Sequence, residues 1–282
     1  MLKKIASGYA QEMDFINQQL ASPMGKVERP VDNSPTPAQI YREKTSRISA
    51  PSANTSIDNP YVYAETFANN AKTQADNSTW GAVSKKAPEG VPSKYNEKWK
   101  CNILPAWSAH AINAENNPFV NHIRKDYHSA KGLRQLIEHP ETAADNGFKG
   151  NIMEVDRDWA AEHPGVIVSE KWSYNPPKAV KNYNPQSSVH TGISVGDGKS
   201  ISASEDRARV NDFGFRNKHM PYYSSDVKYA YMFPENVSQE QISKLRMDYL
   251  KHMFTKNLLP NSKSVKKILD GVDLSDLKNI AK

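Results

Sequence analysis

Cys101 is the only cysteine among the 282 residues, and this count restricts how the chain can be held together. One thiol can form neither an intramolecular disulfide nor a zinc site built from several cysteines. The fold must therefore rest on a packed core, yet only 38% of the residues are hydrophobic and the mean hydropathy is −0.74. We expect an adequate core only if part of the chain lies outside it.

The segments expected outside the core lie at the two ends of the chain. Residues 22–60 lack periodicity and carry six prolines among Ser, Thr and Asn, which is typical of a linker or an extended segment. Before them, an amphipathic helix is predicted from apolar residues at helical spacing: Ile5, Tyr9, Met13, Ile16 and Leu20. This helix is either packed on the protein's own body or a tag for an export machine. The predicted organisation is an N-terminal segment 1–58, a central domain 59–236 and a helical C-terminal extension 237–282.

The N-terminus begins with basic residues, as a signal peptide does, but its apolar stretch is interrupted at once by Ser7, Gly8, Gln11 and Glu12. No Sec signal is predicted from this pattern, and no run approaches the length needed to span a bilayer. If the protein acts outside its own cytosol, we expect another export route. The net charge of +6 suits an anionic surface such as a bacterial wall or a nucleic acid, although such a charge more often serves solubility.

The central domain is predicted to place its helices before its strands. Helices are expected after Asn59-Pro60, from Cys101 to about Ala114, from Ser129 to His139, and beyond the domain from Gln239 to Lys256. Strands are expected at 166–169, from His190 to the Gly196-Asp197-Gly198 turn, at 200–204 and at 228–233, with 170–188 as a long loop. This order indicates an α+β domain with an antiparallel sheet.

The surroundings of Cys101 suggest a reactive thiol. It follows a loop rich in Pro, Gly and Lys and precedes a helix-like stretch, and unpaired N–H groups at a helix start favour the thiolate. Lys98 and Lys100 are expected to act in the same direction. His190, which opens a predicted strand, would supply the base that a thiol hydrolase needs. Taken singly, each residue is more often structural, as a small buried hydrophobe or a polar strand residue.

In this order the parts resemble the NlpC/P60 superfamily of papain-like cell-wall peptidases, and they look closest to the amidase effectors that type VI secretion systems inject into rival bacteria. Four matches within residues 60–235 carry the resemblance: Ser78-Thr79-Trp80 after a helix, Trp99-Lys100-Cys101-Asn102 as the nucleophile start, His163-Pro164-Gly165-Val166-Ile167-Val168 as the turn and first strand, and 190–199 as the histidine strand and hairpin. Val166 stands where the family usually has aspartate.

The resemblance implies a papain-like core, in which the nucleophile helix packs on an antiparallel sheet, and acyl transfer to sulfur. Cys101 would attack an amide carbonyl of a peptidoglycan stem peptide, while His190 takes the thiol proton and later protonates the leaving amine. The backbone N–H of Cys101 would form part of the oxyanion hole. Ser202 holds the position of the family's third, imidazole-orienting residue. Because serine orients weakly, Glu205, Asp206 and a simple dyad stay open.

The function implied is a cysteine peptidase or amidase of peptidoglycan, secreted without a Sec signal and acting in the periplasm of target bacteria. Expected partners are peptidoglycan, a cognate immunity protein and a component of the secretion machine. Two alternatives are a thiol hydrolase, deamidase or acyltransferase that acts on a host protein, and a catalytically weak wall-binding or adaptor module. No glycine-rich phosphate loop or metal-ligand spacing is present, so no cofactor or metal is expected, and neither nucleic acid nor a membrane is an expected partner.

Overall fold

The computed structural model describes residues 58–178, 185–216 and 221–255. The helices of these ranges are α1 (Pro60–Lys72), α2 (Ile103–His110), α3 (Ala130–Glu138), α4 (Arg157–Glu162) and α5 (Gln239–Thr255). The strands are β1 (Val120–Asn121), β2 (Asp126–Tyr127), β3 (Asn151–Val155), β4 (Ile167–Tyr174), β5 (Gln186–Gly196), β6 (Lys199–Ala203), β7 (Ala208–Asn211) and β8 (Tyr223–Phe233). The predicted N-terminal helix, the segment 22–57 and the last residue of the predicted final helix lie outside the described residues.

Six of these strands form one antiparallel sheet in the order β3-β8-β4-β5-β6-β7, while β1 and β2 pair with each other. The strands β4, β5 and β6 each pair with the next one along the chain. The last strand, β8, returns to the middle of the sheet and pairs with both β3 and β4. The predicted α+β class with an antiparallel sheet is therefore confirmed.

The turn between β5 and β6 requires left-handed backbone at three successive residues. Gly196, Asp197 and Gly198 have φ angles of 84°, 54° and 61°, a region that glycine enters freely and aspartate tolerates. The predicted Gly-Asp-Gly hairpin is confirmed, and it fixes a register in which Ile193 pairs with Ile201. Since side chains alternate along a strand, His190 shares its face of the sheet with Gly192 and Ser194.

Helix α1 packs directly against the turn that leads into β4. Asn59 caps the helix by accepting hydrogen bonds from the N–H groups of Tyr61 and Val62. Gly165, in the predicted Pro-Gly turn, has φ 82°, and a Cβ at this position would lie 2.4 Å from the Ala64 carbonyl oxygen. Only glycine therefore lets α1 approach the sheet this closely.

Helix α5 adds its apolar face to the same core as the rest of the described chain. Ile242 and Leu245 are buried in this core. The ring of Tyr249 packs edge-on against Trp159 of α4, with the ring centroids 5.4 Å apart. The described part of the predicted C-terminal extension is therefore packed on the central domain.

The predicted long loop 170–188 begins and ends in strand. β4 continues to Tyr174 and β5 begins at Gln186, so the connection is 175–185. The polar residues of these strand ends carry no apolar alternation, which made them look like a loop in the sequence. The end of β4 is nevertheless paired on both sides, because β4 runs between β5 and β8 along its whole length, and the start of β5 pairs with β4.

Other elements also differ from the sequence prediction. Helix α2 ends at His110 instead of about Ala114. The short elements β3, α4 and β7 were not predicted, and β3 and β7 are edge strands with only one neighbour each. The start of α4 is fixed by Asp156, whose carboxylate accepts a hydrogen bond of 2.8 Å from the N–H of Trp159. Elements of four to six residues are too short to establish a period in the sequence.

Candidate active site

Cys101 lies two residues before the first residue of α2, with Asn102 at the cap position. The Asn102 side chain does not cap the helix; its amide donates a hydrogen bond of 2.8 Å to the carbonyl of His128. This bond ties the cysteine segment to the chain that leads into α3. The thiol is free, and the residue is only 5% exposed. The prediction of a cysteine at a helix start is thus confirmed.

The buried side chain of Lys100 joins neighbouring backbone segments by hydrogen bonds. Its ammonium donates hydrogen bonds of 2.8 Å to the carbonyl of Gly81 and 3.0 Å to the carbonyl of Lys98. Burial lowers the pKa of this amine from its ordinary value. Because Gly81 follows the Ser78–Trp80 turn, the hydrogen bond from Lys100 to Gly81 joins two of the segments that carry the family resemblance. The contacts of Lys100 are structural ones with backbone oxygens.

The resting protonation state of Cys101 differs from the one expected from the sequence. Burial raises the pKa of the thiol, and the backbone N–H groups of Thr191, Asn102 and Cys101 itself, which lower it, do not outweigh the burial. The thiolate expected from the helix start and the two lysines is therefore wrong for the resting site. The physical reason is that the thiol is covered and Lys100 donates to carbonyls.

The structure places the Cys101 segment beside β5 at the position of His190. The Thr191 N–H that acts on the sulfur belongs to the peptide unit that follows His190. Trp99, two residues before the cysteine, places its ring edge-on to the His190 imidazole with the centroids 6.5 Å apart. The cysteine segment therefore contacts β5 at the histidine through two separate residues.

His190 is held in its neutral form. Burial lowers the pKa of the imidazole to about 4, and the positive charge of Arg216 acts in the same direction. Phe213 contributes to the burial, since its ring packs edge-on against the imidazole at a centroid distance of 4.8 Å. A neutral imidazole can accept a proton at neutral pH, which is what a general base must do.

None of the three candidates for a third catalytic residue contacts this imidazole. Ser202 lies buried on β6 beside Gly192, and among the described residues no hydrogen bond joins its hydroxyl to His190. Glu205 is exposed. The Asp206 carboxylate accepts hydrogen bonds from two arginine side chains at the end of the hairpin, those of Arg207 and Arg209. A role as the third catalytic residue, which orients the imidazole, stays a prediction for each of them.

Sequence reasoning missed the charged pair that borders His190. Glu170 of β4 is the direct cross-strand partner of His190, so both side chains lie on the same face of the sheet. Its carboxylate accepts a hydrogen bond of 2.7 Å from Arg216, whose guanidinium carbon lies 5.6 Å from the centre of the Phe213 ring. The signal was available: had β4 been extended beyond Ser169, two-residue alternation would have placed Glu170 with Val168 on this face.

The Cys101 side chain is almost fully covered. Two cavities of about 570 and 440 Å³ are lined by residues other than Cys101 and His190. At the site itself, the exposed side chain is Trp99, which is 59% exposed.

Two properties of the described residues bear on the class of site. Within the described ranges, no cluster of three or more His, Cys, Asp or Glu side chains is arranged to hold a metal ion. No helix among the described residues has the length and apolar character needed to cross a bilayer.

No protein-family model, curated protein or solved structure matches the chain. The candidate site is therefore defined by the contacts around Cys101 and His190.

Proposed function

We propose that the chain is a cysteine peptidase or amidase that cleaves stem peptides or cross-links of bacterial peptidoglycan, with Cys101 as nucleophile and His190 as base. The observation that carries the proposal is that the segment with the helix-start cysteine packs against the strand that carries the histidine. The Cys101 sulfur is acted on by the Thr191 N–H, and Trp99 packs against the His190 ring. Nucleophilic catalysis by cysteine requires a base near the thiol, and His190 is the histidine that lies on the strand next to the cysteine segment.

The reaction begins from neutral partners. His190 accepts the thiol proton as the sulfur attacks the amide carbonyl, so charge develops only during the step. The negative charge then forms on the carbonyl oxygen, and the backbone N–H of Cys101 would donate a hydrogen bond to that oxygen. The imidazolium then gives its proton to the leaving amine, and water hydrolyses the thioester. Glu170 faces the same side of the sheet as His190, and its carboxylate accepts a hydrogen bond from Arg216.

The same contacts support a papain-like arrangement as the finer fold. Helix α2 starts at the nucleophile, and β5 carries the histidine in the interior of an antiparallel sheet. Two features depart from the family pattern: Val166 replaces the usual aspartate, and Ser202 makes no hydrogen bond to His190 among the described residues. The second departure gives the alternative of a weak wall-binding module its support.

Delivery and inhibition follow from the proposed substrate. Peptidoglycan lies outside the inner membrane, so the protein would act in the periplasm of target bacteria after export without a Sec signal. A producing cell would then need a periplasmic immunity protein. The exposed Trp99 ring beside His190 is a suitable contact for such an inhibitor, because exposed aromatic residues near a concave site contribute strongly to binding.

A location experiment separates this proposal from action on a host protein. Expression in the cytosol of a test bacterium should be tolerated, because the substrate is out of reach. Fusion of the full chain to a Sec signal should cause lysis, and the same fusion carrying Cys101→Ala should not. The measurement is culture turbidity after induction, with immunoblots to equalise the amount of protein. Killing by the unfused protein in the cytosol would instead favour the host-protein alternative.

A further inference from the structure

We propose that Arg216 selects the substrate by holding a free carboxylate close to the amide that Cys101 attacks. The inference rests on the proposed function and makes its substrate class narrower. The preferred stem peptides would carry an unmodified carboxylate near the scissile bond, and peptides with a carboxamide in its place would be poor substrates.

The position of Arg216 is fixed by a short series of contacts that begins at the catalytic histidine. The His190 ring packs against Phe213, and the guanidinium carbon of Arg216 lies 5.6 Å from the centre of the same Phe213 ring. Arg216 therefore lies one aromatic ring away from the imidazole. Its side chain is 46% exposed, so a ligand from solvent can reach it.

The guanidinium is also preorganised for binding. Its Nη2 donates a hydrogen bond of 2.7 Å to Glu170, whose side chain is only 4% exposed. A buried carboxylate is a strong anchor, because leaving it without its partner would be costly. Arginine has five N–H donors in a rigid fork, so the bond to Glu170 leaves donors for a second carboxylate.

The ion pair with Glu170 does not remove the effect of the Arg216 charge on His190. The charge of Arg216 lowers the pKa of His190, although Glu170 is the direct cross-strand neighbour of that histidine. The half-exposed guanidinium of Arg216 can therefore still attract an anionic group of the substrate in preference to a neutral one. A pair with a purely structural role would not require a half-exposed arginine at this point.

The distance limits where the carboxylate can lie on the substrate. An extended peptide spans at most about 3.3–3.6 Å per residue. A group that bonds to Arg216, one ring beyond His190, is then one to three residues from the scissile amide. This position is compatible with a carboxylate on the stem peptide itself and not with one on a distant strand of the wall.

The test compares two forms of the same purified muropeptide, one with its free carboxylates and one in which they are converted to carboxamides. For the wild-type chain we expect kcat/KM to be about 10- to 100-fold higher for the carboxylate form, as is usual for a charge-assisted bidentate contact. Arg216→Gln should bring this ratio close to one, mainly through a higher KM for the carboxylate form.

Two further variants keep the result interpretable. The double variant Glu170→Gln with Arg216→Gln replaces the ion pair by two neutral amides and avoids a buried unpaired carboxylate. Lys228→Gln is the matched control: its ammonium pairs with Glu154 at 3.2 Å, and its register partner Ser169 places it on the opposite face of the sheet. The ratio does not depend on the fraction of active enzyme, so partial loss of fold does not alter it.

The possible outcomes distinguish the role of Arg216 from the proposed function. Hydrolysis of both forms with equal kcat/KM by the wild type, or a preference that Arg216→Gln leaves unchanged, overturns the role of Arg216 and leaves the proposed function in place. A preference lost in both arginine variants and kept in Lys228→Gln supports it. Failure of the wild type to cleave either form overturns the proposed function, and the role of Arg216 with it.

Discussion

Cys101→Ala is expected to lower the rate of peptidoglycan hydrolysis by about 10⁴-fold or more, because it removes the only atom that can form the acyl-enzyme. The fold should persist. Cys101 is a small side chain at the edge of the core, so we expect the free energy of unfolding to fall by about 1 kcal/mol. Release of soluble muropeptides measures the activity, and thermal unfolding followed by circular dichroism measures the fold.

A matched control for this variant lies on the same helix. Ser108 of α2 is buried, and its hydroxyl donates to the carbonyl of Leu104, away from the site. Ser108→Ala makes a similarly small change in volume and should keep most of the activity. If Cys101→Ala remained as active as Ser108→Ala, Cys101 would not be the nucleophile.

His190→Ala is expected to lose nearly as much activity as Cys101→Ala, since a nucleophile and its base act as one unit and their losses do not add. The double variant should therefore be no worse than either single one. Burial lowers the pKa of the imidazole to about 4, so the ring is neutral and free to accept a proton, but it is a weaker base than an exposed histidine. Steady-state rates for the three variants on the same muropeptide provide the comparison.

His163→Ala serves as the control for the histidine. His163 is also half-buried, but its ring stacks on Trp159 with a centroid distance of 3.7 Å, in the region of α4. Its replacement should affect stability more than rate. A double variant of Cys101 and His190 that was much slower than either single variant would mean that the two residues contribute to separate steps.

The parts of the fold that depend on local rules were predictable from the sequence. The Gly196-Asp197-Gly198 turn demands left-handed backbone, and Asn59-Pro60 is a recognisable helix start. Gly165 before β4 and Cys101 before α2 also lie where the sequence places them. These features are set by residues close together in the chain, so they can be recognised without the tertiary structure.

The parts that depend on pairing between distant segments were not predictable. Residues 170–174 form strand because β5 and β8 lie on either side of them, and nothing in their composition shows this. The protonation of Cys101 could not be derived from Lys100 either, since its charge is directed at the carbonyl of Gly81. Glu170 was missed for the same reason: its role depends on the strand opposite it.

Mass analysis of muropeptides tests the central claim most directly. Purified peptidoglycan would be incubated with the full chain and, in parallel, with the Cys101→Ala variant, and the soluble fragments compared. The account predicts new fragments with free amine ends at a peptide bond of the stem or cross-link, formed by the wild-type chain and absent with Cys101→Ala. Muropeptides that remain unchanged with the wild-type chain, or the same new fragments with both proteins, would contradict it.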